Sequence, residues 1–105
     1  MLQYKDDIVN SIRKKLRMLP PNAKAFLFGS RAKGNSAPDS DWDILILLDK
    51  DKIETSDYDD IAYPLFELGW EYDQHFSIKL YTHNDWEKRS FTTFYKNVEQ
   101  ERILL

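Results

Sequence analysis

The sequence predicts a small α/β domain of the α+β kind, with helices covering both faces of a short sheet. Three observations predict it. Apolar residues recur at helical spacing near both ends and in the middle of the chain. The run Ile44-Leu45-Ile46-Leu47-Leu48 is apolar on both faces, as a central strand is. Phe76 to Leu80 alternates apolar with polar, as a half-buried strand does. At 105 residues the chain is expected to form a single domain over residues 1–105, with one core.

Taken in order, residues 3 to 18 predict a helix, because Ile8, Val9, Ile12, Leu16 and Leu19 share a face. Asp6 and Asp7 sit near its start, while Arg13, Lys14, Lys15 and Arg17 crowd its end, as the helix dipole favours. Pro20-Pro21 stops it. The basic cluster reads as a solvated helix end, with a phosphate contact as the alternative. Ala23 to Phe28 is a short buried strand ended by Gly29, and Ser30 to Gly34 is a loop or a single helical turn. A polar segment, Asn35 to Ser40, carries turn chemistry at Pro38-Asp39. Asp41 to Asp49 is the second strand.

Lys50 to Thr55 is a charged connection, after which Ser56 or Asp57 is the expected N-cap. Tyr58, Ile61, Ala62, Leu65, Phe66 and Leu68 form a helical stripe ending at Gly69, with Pro64 expected to kink or shorten it. Asp73 to Thr82 is the third strand, with Phe76, Ile78 and Leu80 on one face and His75, Ser77, Lys79 and Tyr81 on the other. Asn84 caps a short turn through Trp86 and Glu87. Phe91, Phe94, Tyr95 and Val98 then mark a final amphipathic helix. The apolar tail Ile103-Leu104-Leu105 either packs back on the sheet or docks a partner.

Composition narrows the function. A net charge of −3 gives no broad basic field, so duplex nucleic acid is not an expected partner. The absence of cysteine excludes disulfides, thiolate metal sites and a cysteine nucleophile. The charged first residues carry no secretory signal, and the longest apolar run is far short of the roughly 20 residues a membrane helix needs. A cytoplasmic protein without membrane contact is expected.

The chemistry concentrates in Phe28-Gly29-Ser30-Arg31-Ala32-Lys33-Gly34 and Ser40-Asp41-Trp42-Asp43-Ile44. Alternate residues of a strand share a face, so Asp41 and Asp43 project together, their Cα atoms about 6.6 Å apart. Carboxylates about 5 Å apart repel by about 3 kcal/mol at an effective dielectric near 20. Such a pair takes a proton or binds a cation, unless both acids are simply solvated at a strand end. Hard oxygen ligands in small number suit Mg²⁺, which completes its octahedron with water and phosphate oxygens. Upstream, Gly29 lets the backbone approach a ligand, and N–H groups at a strand-to-helix turn attract anions. Ser30 adds a hydroxyl, and Arg31 and Lys33 add charge. An anion cradle beside a carboxylate pair is what a metal-bound nucleoside triphosphate requires.

Two rival motifs fail at essential positions. Gly29 to Ser36 nearly spells a P-loop, but Asn35 replaces its lysine. Asp39, Asp41 and Asp43 imitate an EF-hand loop, but Ile44 stands in place of the glycine and Lys50 in place of the bidentate glutamate.

The two halves of the motif together resemble the nucleotidyltransferase superfamily that includes DNA polymerase beta and kanamycin nucleotidyltransferase. The nearest likeness is to the small stand-alone minimal nucleotidyltransferases, the antitoxin-like members encoded beside HEPN-type partners. The resemblance extends to the order of elements over most of the chain and to the ending from Trp86 to Leu105. It implies a small mixed sheet flanked by helices, with the site at one edge. It further implies that Gly29 and Ser30, with Arg31 and Lys33 nearby, hold the triphosphate of ATP or another NTP. Asp41 and Asp43 would bind two Mg²⁺ ions. The implied reaction is in-line attack on the α-phosphorus by an acceptor hydroxyl, possibilities for which include a tyrosine of a HEPN-type partner.

One position departs from the family. The third carboxylate usually carried by the strand after the second helix is missing from Asp73-Gln74-His75-Phe76-Ser77. His75 takes the expected place, where an imidazole can serve as a base. Asp73 is the substitute if the register slips. The alternative is an ordinary exposed histidine in a catalytically impaired relative that works by binding its partner.

Overall fold

The computed structural model describes residues 2–19, 22–34, 37 and 39–105. Among these, four strands form one sheet: β1 (Ala23–Phe28), β2 (Trp42–Leu48), β3 (Phe76–Thr82) and β4 (Ile103–Leu104). Their spatial order is β3-β2-β1-β4. β1 is antiparallel to both β2 and β4, whereas β2 and β3 are parallel. The sheet is therefore mixed. A parallel pair cannot be joined by a tight hairpin, and the helical stretch from Thr55 to Glu71 supplies the crossover.

The predicted central strand lies between β1 and β3, and its apolar residues are buried on both faces. On one face Ile44, Ile46 and Leu48 pack with Ala25, Leu27, Phe76 and Leu80. Helix α1 (Leu2–Leu16) covers them through Ile8 and Ile12, and the crossover through Ile61, Leu65 and Leu68. On the other face Leu45 and Leu47 pack with Phe26 and Phe28. There the cover comes from Trp86 of α5 (His83–Glu87) and Val98 of α6 (Thr93–Glu101). Each fully buried aliphatic side chain contributes about 1.5–3 kcal/mol. These two layers pack both faces of the sheet whose end carries the acidic residues.

Several boundaries differ from the sequence expectations, each for a physical reason. The predicted stop at Pro20-Pro21, and the turn residues Asn35, Ser36 and Pro38, lie outside the described residues. After Ser30–Lys33, which form a single helical turn (α2), Gly34 closes it in the left-handed conformation at φ 78. The crossover is capped by Glu54 rather than Ser56 or Asp57. Glu54 and Asp57 cap each other's backbone reciprocally at the start of α3 (Thr55–Asp57), and Lys50 bridges both acids.

Pro64 does not break the crossover. A π-helical turn over Tyr58–Ala62 precedes it, and α4 (Tyr63–Glu71) then takes the proline in its first turn, where its missing N–H costs little. Nor does Gly69 end the helix. It is buried within α4, where a Cβ would lie 3.0 Å from the Gln74 carbonyl and 3.1 Å from the Phe76 ring. Helix α4 ends instead with Asp73 left-handed at φ 54, while Asp73 and Gln74 N–H groups donate to the Trp70 and Gly69 carbonyls. This is a Schellman cap. It shortens the third strand, which starts at Phe76 and not at Asp73.

The C-terminal tail packs back on the sheet: Ile103 and Leu104 add β4 to the edge of β1. Thr82, not Asn84, caps α5 by accepting the Asp85 N–H. Among the described residues no helix is long and apolar enough to cross a membrane.

Candidate active site

Strand register assembles the site. Phe28 of β1 stands opposite Asp43 of β2, so the turn at Gly29 begins beside the Asp-Trp-Asp triplet. Asp43 in turn stands opposite Ser77 of β3. The Trp42 N–H donates to the His75 carbonyl at 2.9 Å, which brings His75 alongside Asp41. The His75 Nδ1 lies 3.0 Å from Asp41 Oδ1. Both side chains stay open, 72 % and 53 % exposed respectively, so a ligand can reach them. The register is not slipped, and Asp73 belongs to the helix cap rather than to the strand.

Gly29 sits at φ 74 and ψ −159, a conformation essentially restricted to glycine. A Cβ here would overlap the Asp43 carboxylate, so Gly29 is what allows the turn and the acid to touch. Helix α2 follows at once, with the Ala32 and Lys33 N–H groups both donating to the Gly29 carbonyl. The first-turn N–H groups that lie ahead of these bonds are those of Ser30 and Arg31. Ser30, half-buried, is the first residue of that turn.

The two cations assigned to the phosphate are both engaged. Arg31 stacks on the Trp42 indole at 4.7 Å and donates to the Ser40 carbonyl at 3.0 Å and Gln74 Oε1 at 3.3 Å. Trp42 Nε1 donates to the same Gln74 oxygen at 3.1 Å. Arg31 thus ties the turn to the starts of β2 and β3. Lys33 Nζ lies 3.1 Å from Glu101 Oε2, at the end of α6.

Glu101 is the residue that sequence reasoning missed. Besides Lys33, it accepts the Gly29 N–H through Oε1 at 2.9 Å. Its only sequence signal is the apolar tail that follows it, which places it beside the turn once Leu104 pairs with Phe26.

Electrostatics mark Asp43. Burial pushes its carboxyl above the ordinary carboxylate value, and the Asp41 charge pushes it further; Glu101 adds to this, while Lys79 and His75 oppose it. Asp43 therefore carries its negative charge at a cost, which a bound cation would relieve. Carboxylate oxygens are the hard ligands that Mg²⁺ takes. Among the described residues no group of three or more acids, histidines or cysteines could hold a metal alone. A cation here would need further oxygens from water or a phosphate, as Mg²⁺ commonly takes.

The model of the nucleotidyltransferase domain matches residues 9–105. The chain belongs to the nucleotidyltransferase-domain family. Its solved structural relatives include a toxin–antitoxin with AMP-PNP, at 24 % identity and a TM-score of 0.61, covering 90 % of this chain and 69 % of that one. A tyrosine-to-alanine mutant of the toxin–antitoxin MntA-HpeT is similar at 25 % identity and a TM-score of 0.59, covering 91 % and 69 %. A double aspartate-to-glutamate mutant of the same pair gives 22 % and 0.61, covering 90 % and 69 %. No curated protein sequence matches the chain. The nucleotidyltransferase fold expected from the glycine-serine turn and the Asp-Trp-Asp strand is the fold observed.

Proposed function

We propose that this nucleotidyltransferase domain transfers a nucleotide, AMP from ATP in the first instance, to an acceptor hydroxyl in a Mg²⁺-dependent reaction. The observation that carries the reading is the contact of Gly29 with Asp43, which joins a phosphate turn and a carboxylate pair into one site. The hydroxyl and N–H of Ser30 and the N–H of Arg31, at the start of α2, hold the polyphosphate. Asp41 and Asp43 hold magnesium, which when bound neutralises phosphate charge and polarises the reacting phosphoryl group.

In the transfer, the acceptor oxygen forms a bond to the α-phosphorus as the bond to pyrophosphate breaks. The hydroxyl proton goes to His75. With Nδ1 held 3.0 Å from Asp41 Oδ1, Nε2 is the nitrogen left to take it. This dyad stands in for the missing third carboxylate. Catalysis of this kind rests mostly on positioning and charge neutralisation, which a small scaffold can supply.

The acceptor we favour is a hydroxyl of a partner protein, a HEPN-type toxin. Support comes from the toxin–antitoxin pairs among the structural relatives. A second reading, a catalytically impaired antitoxin that acts by binding, is favoured by one observation. Phe91, Phe94, Ile103 and Leu104 are large apolar residues left exposed on the C-terminal arm. Incubation with α-labelled ATP, Mg²⁺ and the partner separates the two. Label on the partner that disappears in Asp43→Asn supports transfer; tight partner binding without label supports the second reading.

A further inference from the structure

We propose that Glu101 is a positioning residue for the phosphate turn, carried to it by β4. The inference rests on the proposed role of that turn in holding a polyphosphate. Gly29 adopts its conformation without a steric penalty, and its carbonyl already accepts the Ala32 and Lys33 N–H groups, so its N–H is the group left for a partner outside the turn. One carboxylate meets the turn at both ends. Glu101 Oε1 accepts the Gly29 N–H at 2.9 Å, just before α2, and Oε2 faces Lys33 Nζ at 3.1 Å, at its last residue.

The delivery follows from register. Leu27 pairs with Ile103 and Phe26 with Leu104, antiparallel. Arg102 alone separates Ile103 from the end of α6, so the pairing of β4 brings the end of that helix, and Glu101 with it, to the turn. Helix α6 ends at Glu101 and its Val98 is buried against the sheet, so the carboxylate is carried on a packed element. At 17 % exposure it is far less accessible than its partner Lys33 at 54 %, as expected of a group whose task is internal.

Gly29 is held from both sides, by Asp43 from β2 and by Glu101 from β4. Its N–H is spent on Glu101 and its carbonyl on the Ala32 and Lys33 N–H groups, so the donors proposed for phosphate begin at Ser30. Glu101 therefore acts on the site through Gly29.

The test compares Glu101→Ala and Glu101→Gln with the wild-type chain by two readouts. The first is the Gly29 amide resonance and its hydrogen exchange in the protein without nucleotide. The second is affinity for AMP-PNP with Mg²⁺. Glu101→Ala should shift the Gly29 amide upfield, speed its exchange and weaken AMP-PNP about tenfold, the scale of one charge-assisted hydrogen bond. Glu101→Gln keeps an acceptor oxygen and should restore the amide signature and most of the affinity. An unmoved Gly29 amide in Glu101→Ala would overturn the proposal, as would tighter AMP-PNP binding, which would mean the carboxylate obstructs the cradle. If Glu101→Ala does not fold, the Gln variant decides: a Gly29 amide that exchanges freely there shows that the acceptor oxygen does not hold the turn. If wild type does not bind AMP-PNP at all, the nucleotide reading fails, and the amide readout still judges the positioning role.

Discussion

The carboxylate of Asp43 occupies the space that a side chain at Gly29 would need. Gly29→Ala therefore meets two obstacles, a φ of 74 that alanine resists and a displaced carboxylate. The backbone strain alone costs about 1–3 kcal/mol. Urea denaturation should show at least that loss, and Mg²⁺-dependent nucleotide binding should disappear. Retention of both would mean that the turn and the acid do not form one unit.

Asp43 also links the site to stability. Burial and the Asp41 charge raise its carboxyl in the folded state, so the native protein holds that proton to a higher pH than the unfolded chain does. For this group stability is greatest below the ordinary carboxylate range, about pH 4, and falls as pH rises through the raised value. Asp43→Asn removes that penalty. Thermal scans should find the variant melting above wild type at neutral pH, with the gap closing toward pH 4. A variant that melts lower at neutral pH would show the carboxylate is stabilised rather than strained.

His75 and Lys79 both face the acidic pair, but only His75 is placed to move a proton. His75→Ala should slow transfer by about 10²–10⁴-fold, the usual range for loss of a general base. Lys79→Ala should slow it only several-fold. Equal small effects in a single-turnover assay would place the base elsewhere.

Asp73 has a structural task. It holds the left-handed position of the α4 cap, where a non-glycine residue is under strain. Asp73→Gly should raise stability by up to about 1 kcal/mol and leave transfer unchanged. A loss of transfer without a loss of stability would instead give Asp73 a place in the chemistry.

The sequence shows the elements that rest on local pattern and hides those that rest on distant partners. β1 was readable from an apolar run ending at Gly29, and β2 from residues apolar on both faces; the strands start and end within a residue of expectation. Strand parity put Asp41 and Asp43 on one face and the family likeness put His75 at the third-carboxylate position, but the contact of His75 with Asp41 depends on the β2–β3 register, which local pattern does not show. Glu54 was not readable as a cap because the residue type is unusual there, and its reciprocal bond with Asp57 decides the start of the helix. Gly69 has the type of a helix stop, yet its role is to let Phe76 come close. Glu101 was hidden because β4 is two residues long, too short for periodicity to reveal, and its register exists only once β1 is in place.

Calorimetric titration with AMP-PNP, with and without Mg²⁺, tests most directly whether the turn and the acids form one site. Wild type should bind only with Mg²⁺, and Asp41→Asn, Asp43→Asn and Ser30→Ala should each weaken that binding about tenfold or more, as loss of a charged or hydrogen-bonding partner requires. Binding of equal strength in all four proteins, or indifferent to Mg²⁺, would contradict the account.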